Sequence, residues 1–468
     1  MKTTFYITTA IDYTNDVIHI GHSYQKILAD VFARYHRLQG NDTYFLTGTD
    51  EHGQKVQASA KQKHLPPKKY TDQIVTQNKA EWDSLNISYD RFIRTTDPDH
   101  KQFVQQFYLK VKAAGDIYQA KYKGLYCEGC EAYIDESELI KGKCPFHPTK
   151  TPSQISETNY FFRLSKYQNF LLDHLKTHPE FVWPESKKNE IISFIQQGLK
   201  DFSISRQKVS WGIPVPDDPQ HTIYVWFDAL INYLTYGTEE NIWPANIHVL
   251  GKDNARFHAI YWPAMLKSAG YQLPQTILVH DFFSLNGQKI SKSLGNVIRP
   301  SELVKKYGTD PIRYFFIRYG PLTSDVDMTL EKISEAYNAD LANGLGNLIA
   351  RVAKLCHTSG QKFTQNQPPE IFPEIHQFFR QYRFDHALGW LWEKKLKTLD
   401  KYIEHHRPWE LKGKRLHNVL DKAVGDIRQI AHNLYPFLPQ TAQKITTQFS
   451  SPIVKPTPSL FPRISQNP

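Results

Sequence analysis

A strand–helix–strand pattern opens the chain, breaks off, and resumes downstream, and this interrupted alternation most constrains the fold. Phe5-Tyr6-Ile7-Thr8-Thr9 is β-branched and aromatic, the composition of a buried strand. From Tyr24 to Leu38, the residues Ile27, Leu28, Val31, Phe32 and Tyr35 recur at helical spacing. Gly40-Asn41-Asp42 punctuates, and Thr43-Tyr44-Phe45-Leu46-Thr47 reads as a second strand. Two strands joined through a helix pair in parallel, and such sheets bind ligands at the carboxyl ends of their strands. The alternation resumes with strand-like runs at Thr222–Phe227, Ile247–Gly251 and Thr276–His280. The fold class is α/β, with one parallel sheet split by an insertion at 115–216. Beyond Glu331 the pattern is helical, with amphipathic stretches around Ala339–Leu355, Phe384–His405 and Arg415–Leu434. The Pro-rich ending from Pro452 reads as a strap on the surface.

With 468 residues the chain has room for two or three domains, each with its own core. It carries 57 Lys+Arg against 47 Asp+Glu, a formal charge of +10. From Glu331 onward there are 19 basic and 12 acidic residues, an excess of seven. A basic helical domain suits a polyanion such as RNA, and equally suits a solvated surface. The four cysteines are too few for a disulfide framework. The N-terminus moves straight into a strand without the apolar core of a signal peptide, and no stretch approaches a membrane span. A cytoplasmic protein with no membrane association is expected.

Three short motifs carry chemistry. His19-Ile20-Gly21-His22 stands where a strand hands over to a helix. Helix N-termini favour phosphate, and two imidazoles in one turn can donate to its oxygens. Gly21 leaves room for a flat ring to press on the backbone. Taken alone, the tetrapeptide is as readily two surface histidines beside a turn glycine. Far downstream, Asn286-Gly287 marks a tight turn before Lys289-Ile290-Ser291-Lys292-Ser293. Two lysines around a serine can close over a triphosphate and neutralise departing pyrophosphate, or simply form a basic loop. Cys127-x2-Cys130 and Cys144-x2-His147, thirteen residues apart, have the spacing of a closed structural zinc site. Cys356 stands alone in a helical stretch and is assigned to a core.

The paired His and Lys motifs resemble the two signatures of class I aminoacyl-tRNA synthetases. Ala10–Asn15, Phe45–Gly53, Asn159–Arg163, Ser203–Arg206, Trp211–Pro214, Tyr224–Ala229 and Gly251–Asp253 narrow the resemblance to methionyl-tRNA synthetase, across essentially the whole chain. The form resembled is bacterial, with one zinc knuckle and no C-terminal dimerisation appendage. The resemblance implies a Rossmann-like catalytic domain (1–114 and 217–330) split by a zinc-knuckle insertion (115–216), and an α-helical anticodon-binding domain (331–468). It implies methionine-binding residues Ala10, Ile11, Tyr13, Asp50, Trp226, Ala229, Leu230, Tyr233, His258 and Trp262, with Asp50 holding the α-amino group. Trp262 matches an aromatic associated with rejecting homocysteine, a discrimination worth only about 1–3 kcal/mol per methylene. It implies ATP-binding residues His19, Gly21, His22, Gly251, Asp253, Lys289, Ser291 and Lys292. His19, His22, Lys289, Lys292 and Arg206 are the implied catalytic set, and Lys252 lies beside it. Asn347, Arg351 and Trp409 are the implied anticodon readers.

Two positions depart from the family pattern: Asn254 replaces a usual isoleucine, and Asp12 replaces proline or tyrosine. Both bring polar groups near an apolar side-chain site. The implied activity is methionine–tRNA ligation: ATP and L-methionine give methionyl-adenylate, and tRNA(Met), including the initiator, receives the methionyl group. The implied cofactors are one structural Zn²⁺ per chain and Mg²⁺ with ATP, and a monomer is expected. The competing readings are another class I synthetase and an inactive tRNA-binding paralogue. A cysteine-specific enzyme sets its zinc in the active site, branched-chain enzymes carry larger insertions, and a paralogue need not keep both ATP motifs.

Overall fold

β1 (Thr4–Thr9) sits at the point where the order of a seven-stranded parallel sheet reverses. The other strands are β2 (Asp12–Tyr13), β3 (Asp42–Asp50), β4 (Arg91–Arg94), β5 (Val182–Trp183), β6 (Ile247–Gly251) and β7 (Thr276–His280). Their order is β2-β3-β1-β6-β7-β5, with β4 also pairing with β3. On one side β1 runs from Thr4 opposite Asp42 to Thr8 opposite Leu46. On the other it runs from Ile7 opposite Ile247 to Thr9 opposite Val249. Sequence neighbours thus leave β1 in opposite directions, and the carboxyl ends of β1, β3 and β6 meet where such sheets bind ligands. Tyr6, Ile7, Phe45, Leu46, Val249, Leu250, Ile277, Leu278 and Val279 have no exposed surface, as strands covered on both faces require. Gly48 on β3 tolerates no side chain, because a Cβ there falls 1.9 Å from the Ile93 carbonyl oxygen on β4.

The computed structural model describes residues 3–127, 129, 132–134, 136–145, 151–290, 296–364 and 368–464. It divides into two compact units: residues 1–18, 40–82 and 88–282, and residues 19–39, 83–87 and 283–468. The sheet belongs to the first unit. The same unit holds a four-stranded antiparallel sheet within residues 115–216. Its main pair sets Ile117–Cys127 against Ser153–Phe162, from Ile117 opposite Phe162 to Tyr126 opposite Ser153. From that same stretch of sequence Val182–Trp183 joins the parallel sheet as its edge, β5.

The run Thr222–Phe227, expected as one strand, is not one. A strand ends at Ile223, Tyr224 is the extended cap, and a helix spans Val225–Leu230. That strand is also antiparallel, paired with Ser205–Arg206 and Pro214–Val215. The aromatic, β-branched composition favours a strand, but one helical turn carries Asp228 to buried imidazole partners, and tertiary context wins.

In the second unit the helix Ile20–Leu38 is anchored by a buried ion pair. Asp30 and Arg313, both fully buried, lie 2.7 Å apart. Arg34 reaches the same carboxylate at 2.7 Å. Arg313 also donates to the carbonyls of Phe437 (2.9 Å), Pro436 (3.2 Å) and Leu85 (3.3 Å). Every donor face of the guanidinium is used, which is what makes a buried charge tolerable. Phe32 packs edge-on against Phe379, Tyr382 and Phe384 of the helical bundle. The bundle's long helix, Gly413–Leu434, buries Leu420, Ala423, Val424, Ile427, Ile430, Ala431 and Leu434 at the spacing expected of its core face. Cys356 is buried there, and burial raises its thiol to about 12. The Pro-rich ending does form a strap: Val454 and Phe461 are buried, Phe363 donates to the Pro452 carbonyl, and Tyr337 donates to that of Pro462.

Replacing Arg313 with Ala leaves Asp30 buried with one cation fewer and orphans three carbonyls. The expected loss is about 3–5 kcal/mol in urea unfolding of the full chain. Arg313→Lys recovers little, because one ammonium cannot span those acceptors.

Candidate active site

The helix Ile20–Leu38 begins with two histidines that cap each other. The Gly21 amide donates to His19 Nδ1 at 3.0 Å, and the His19 amide donates to His22 Nδ1 at 3.2 Å. This is a capping box built from imidazoles, with the rings 4.2 Å apart. Each Nδ1 accepts, so in the neutral rings each Nε2 holds the proton and is a donor. A helix start with two such donors suits phosphate. Gly21 serves the cap itself, since a Cβ at this position lies 2.7 Å from His19 Cε1. The Ile20 amide donates to the Ile298 carbonyl at 3.0 Å, which ties this turn to the chain just beyond the lysine motif.

That motif hangs from a hairpin in the same unit, Phe283–Leu285 against Gln288–Lys289. Asn286 and Gly287 take φ of 52° and 71°, the turn expected of an Asn-Gly pair. Asp327 Oδ1 accepts from the Gly287 amide at 2.6 Å and from Ser284 Oγ at 2.9 Å, which holds its carboxyl below the usual range. Ile290 is buried. Ser291 and Lys292 lie outside the described residues, as does the Lys289 side chain.

In the first unit, residues of the implied methionine set form a continuous chain of contacts. Tyr13 on β2 stands opposite Asp50 on β3, and its ring meets Trp226 edge-on at 6.4 Å. Trp226 stacks on Phe257 at 3.7 Å. Phe257 opens a π-helical turn, Phe257–Tyr261, and the extra residue re-aims the following side chains. His258, next in that turn, has Nδ1 2.9 Å from the Asn254 carbonyl and Nε2 2.7 Å from the Tyr233 hydroxyl. A carbonyl cannot donate, so Nδ1 carries the proton and Tyr233 donates to Nε2. Burial lowers His258 to about 4 and raises the Tyr233 phenol, with Asp12 and Asp50 adding to the rise. Beneath them His248 is wholly buried: Trp262 donates to its Nε2 at 3.4 Å, and its Nδ1 meets Thr8 at 2.6 Å. Ala10, Ala229 and Leu230 are buried, and Ile11 is half-buried. The departures now have places. Asn254 gives His258 a backbone carbonyl, which any residue supplies, and Asp12 is buried on β2 opposite Thr49.

Sequence reasoning passed over the groups that hold these residues. Glu51 is fully buried, taking Arg94 through both oxygens together with Thr49 (2.9 Å) and Thr96 (2.7 Å). Asp228 is fully buried and accepts from His52 Nδ1 and His100 Nε2, each at 2.7 Å. Burial pushes its carboxyl up, but the two imidazoles prevail and hold it below the usual range. Glu51, His52 and Asp228 fall inside quoted motifs, while Arg94, His100 and His248 carry no local signal at all. Gly251 ends β6, and Lys252 pairs with Asp281 at 3.0 Å beside exposed Asp253. Arg206 is buried, bonded to Glu157 at 3.1 Å, with its guanidinium 4.3 Å over the Tyr126 ring. It lines a small cleft with Gly53, Trp211 and Val225.

Of the four residues expected to form the zinc knuckle, Cys127 and Cys144 are buried, while Cys130 and His147 lie outside the described residues. In the second unit Asn347 is exposed at the start of the helix Asn347–Ser359, one turn from Arg351. Arg351 pairs with Asp400 and Glu404 of the helix Lys397–His406. Trp409 is half exposed just after Arg407, whose φ is 47°.

A parallel sheet reversing at β1, an imidazole-capped helix start and a lysine-bearing hairpin together define the class, the class I tRNA synthetases. The family model described as tRNA synthetases class I (M) matches residues 5–154 and 147–353. A protein named methionine–tRNA ligase from Caldanaerobacter subterraneus subsp. tengcongensis is 43% identical over 474 residues, covering 96% of this chain and 74% of its own length. Its namesake from a Nostoc species is 42% identical, with 95% and 89% covered. The solved Mycobacterium tuberculosis methionyl-tRNA synthetase in complex with methionyl-adenylate superposes with a TM-score of 0.92 at 36% identity, over 99% of this chain and 100% of that one. The chain belongs to the methionine–tRNA ligase family.

A histidine held near 4 stays neutral at pH 7 and binds no proton until well below its unfolded value of about 6.5. The unfolded chain takes up the proton first, so this group removes stability as pH falls from about 6.5 toward 4. The His258 ring resonance is expected to hold still from pH 8 to 5.5 in proton NMR, and a midpoint near 6.5 contradicts the assignment.

Proposed function

We propose that this chain activates L-methionine with ATP and passes the methionyl group to the terminal adenosine of tRNA(Met), with the residues above dividing the work. The observation that carries the reading is the reciprocal cap of His19 and His22, which sets two imidazoles in one turn at a helix start, where phosphate is favoured. One oxygen of the methionine carboxylate attacks the α-phosphorus, the bond to the β-phosphate oxygen breaks, and pyrophosphate leaves. No side chain becomes covalently attached, so catalysis rests on placement and charge. His19 and His22 bind phosphate, Lys289 and Lys292 neutralise the departing pyrophosphate with Ser291 between them, and Mg²⁺ enters with ATP as part of the substrate. Gly251 and Asp253 belong to the nucleotide set, and Arg206 to the catalytic set. A ribose hydroxyl of the tRNA then attacks the acyl carbon and AMP leaves.

Asp50 takes the α-ammonium group. Tyr13, Trp226, Ala229, Leu230, Tyr233, His258 and Trp262, with Ala10 and Ile11, enclose the flexible thioether, whose sulfur favours aromatic edges. Neutral His258 suits that wall, since a charged ring beside an uncharged side chain costs desolvation. Asn347, Arg351 and Trp409 read the anticodon by base-edge contacts and stacking. Cys127, Cys130, Cys144 and His147 hold a structural zinc that braces the insertion; the buried thiols at 127 and 144 fit that donor set. The reading extends to initiator tRNA(Met), to a monomer and to the cytoplasm; no helix among the described residues is long and apolar enough to cross a membrane.

Methionine-dependent ATP–pyrophosphate exchange is the direct test of activation: methionine supports exchange, and cysteine, valine and isoleucine do not. Lys292→Ala lowers exchange by about 10²–10³-fold, and full exchange in that variant refutes the loop assignment. Metal analysis of the purified chain finds about one zinc per chain, and none overturns the knuckle.

A further inference from the structure

Asp228 links two groups that the reading above places on methionine. His52, its partner at Oδ2, stands two residues after Asp50 at the end of β3. Asp228 itself stands on the helix Val225–Leu230, two residues after Trp226 and one before Ala229. Its other oxygen meets His100, whose Nδ1 meets Thr235 Oγ1 at 3.1 Å. We propose that the His52–Asp228 bond is a positioning device for methionine, setting the distance between the Asp50 carboxylate and the Trp226–Ala229 face. The inference rests on the proposed function.

The geometry excludes a catalytic role for the pair and favours this one. Both Asp228 oxygens accept from imidazole nitrogens, and the residue has no exposed surface, so it is no proton acceptor for substrate. Glu51 cannot stand in for it, since Arg94, Thr49 and Thr96 occupy its oxygens. His52 is held from its other side as well. Its ring packs edge-on against Trp211 at 5.5 Å, the Trp211 indole donates to the Glu51 carbonyl, and the Gly53 amide donates to the Trp211 carbonyl at 3.0 Å. With residues 51–53 clamped there, the His52–Asp228 bond is the described side-chain link from this turn to the helix carrying Trp226. A shift of about 1 Å in such an anchor weakens binding without altering the reacting groups.

The test uses the full chain and methionine-dependent exchange. Wild type must first show that exchange; if it does not, the proposed function fails and this inference with it. Given an active wild type, His52→Ala raises KM for methionine by about 10–100-fold, with KM for ATP and kcat within about threefold. His52→Asn, whose amide nitrogen takes the place of Nδ1 and can donate to Asp228, recovers KM to within about fivefold of wild type. The inference is overturned if folded His52→Ala keeps the wild-type KM, if KM for ATP rises equally, or if folded His52→Asn shows no recovery.

Discussion

Burying carboxylates at the end of one strand is the constraint around which the first unit is arranged. Asp50 ends β3 with Glu51 just beyond it, and Asp228 lies on the helix that follows the small antiparallel sheet. An uncompensated anion in such a place is costly, and each of these has a distinct answer. Glu51 takes a two-point guanidinium and two hydroxyls, so it is a structural group. Asp228 takes two imidazoles, which hold its carboxyl below the usual range despite burial. Asp50 is the carboxylate assigned to the α-ammonium group of the substrate. Glu51 and Asp228 are thus told apart by their partners, and the role of Asp50 is the one proposed above.

Neutral histidines do comparable work elsewhere. His19 and His22 cap one another through Nδ1, which assigns both protons to Nε2. His258 and His248 are assigned the opposite way, with Nδ1 protonated toward Asn254 and Thr8 and Nε2 accepting from Tyr233 and Trp262. Phosphate calls for donors and a thioether wall for an uncharged surface. The two pairs of tautomers suit the roles proposed for them through hydrogen bonds, with no ionised ring required.

Much of this was readable in the residues. β-branched runs at β1, β3, β6 and β7 marked the parallel sheet, because strands buried on both faces must be apolar throughout. Asn286-Gly287 marked its turn because only small or Asn residues take positive φ at low cost. The helix at Val225–Leu230 was hidden, since its composition is that of a strand and its cause is a pair of histidines far away in sequence. For the same reason His52, His100 and His248 went unassigned: no spacing rule links them to Asp228 or Trp262. The ATP motifs and the methionine wall came from resemblance, since Trp226 and Tyr233 alone read as core residues. The π-turn at Phe257–Tyr261, which brings Phe257 onto Trp226, leaves no periodic signal.

The second half-reaction, which only the complete enzyme performs, is the most direct test of methionine–tRNA ligation by this chain. Labelled methionine, ATP and purified tRNA(Met) are incubated with the full chain, and acid-stable attachment to the tRNA is counted. Attachment is expected to approach one methionyl group per intact acceptor end, and to vanish when periodate has destroyed the terminal ribose. Attachment that is absent, or equally strong on tRNA specific for other amino acids, contradicts that activity.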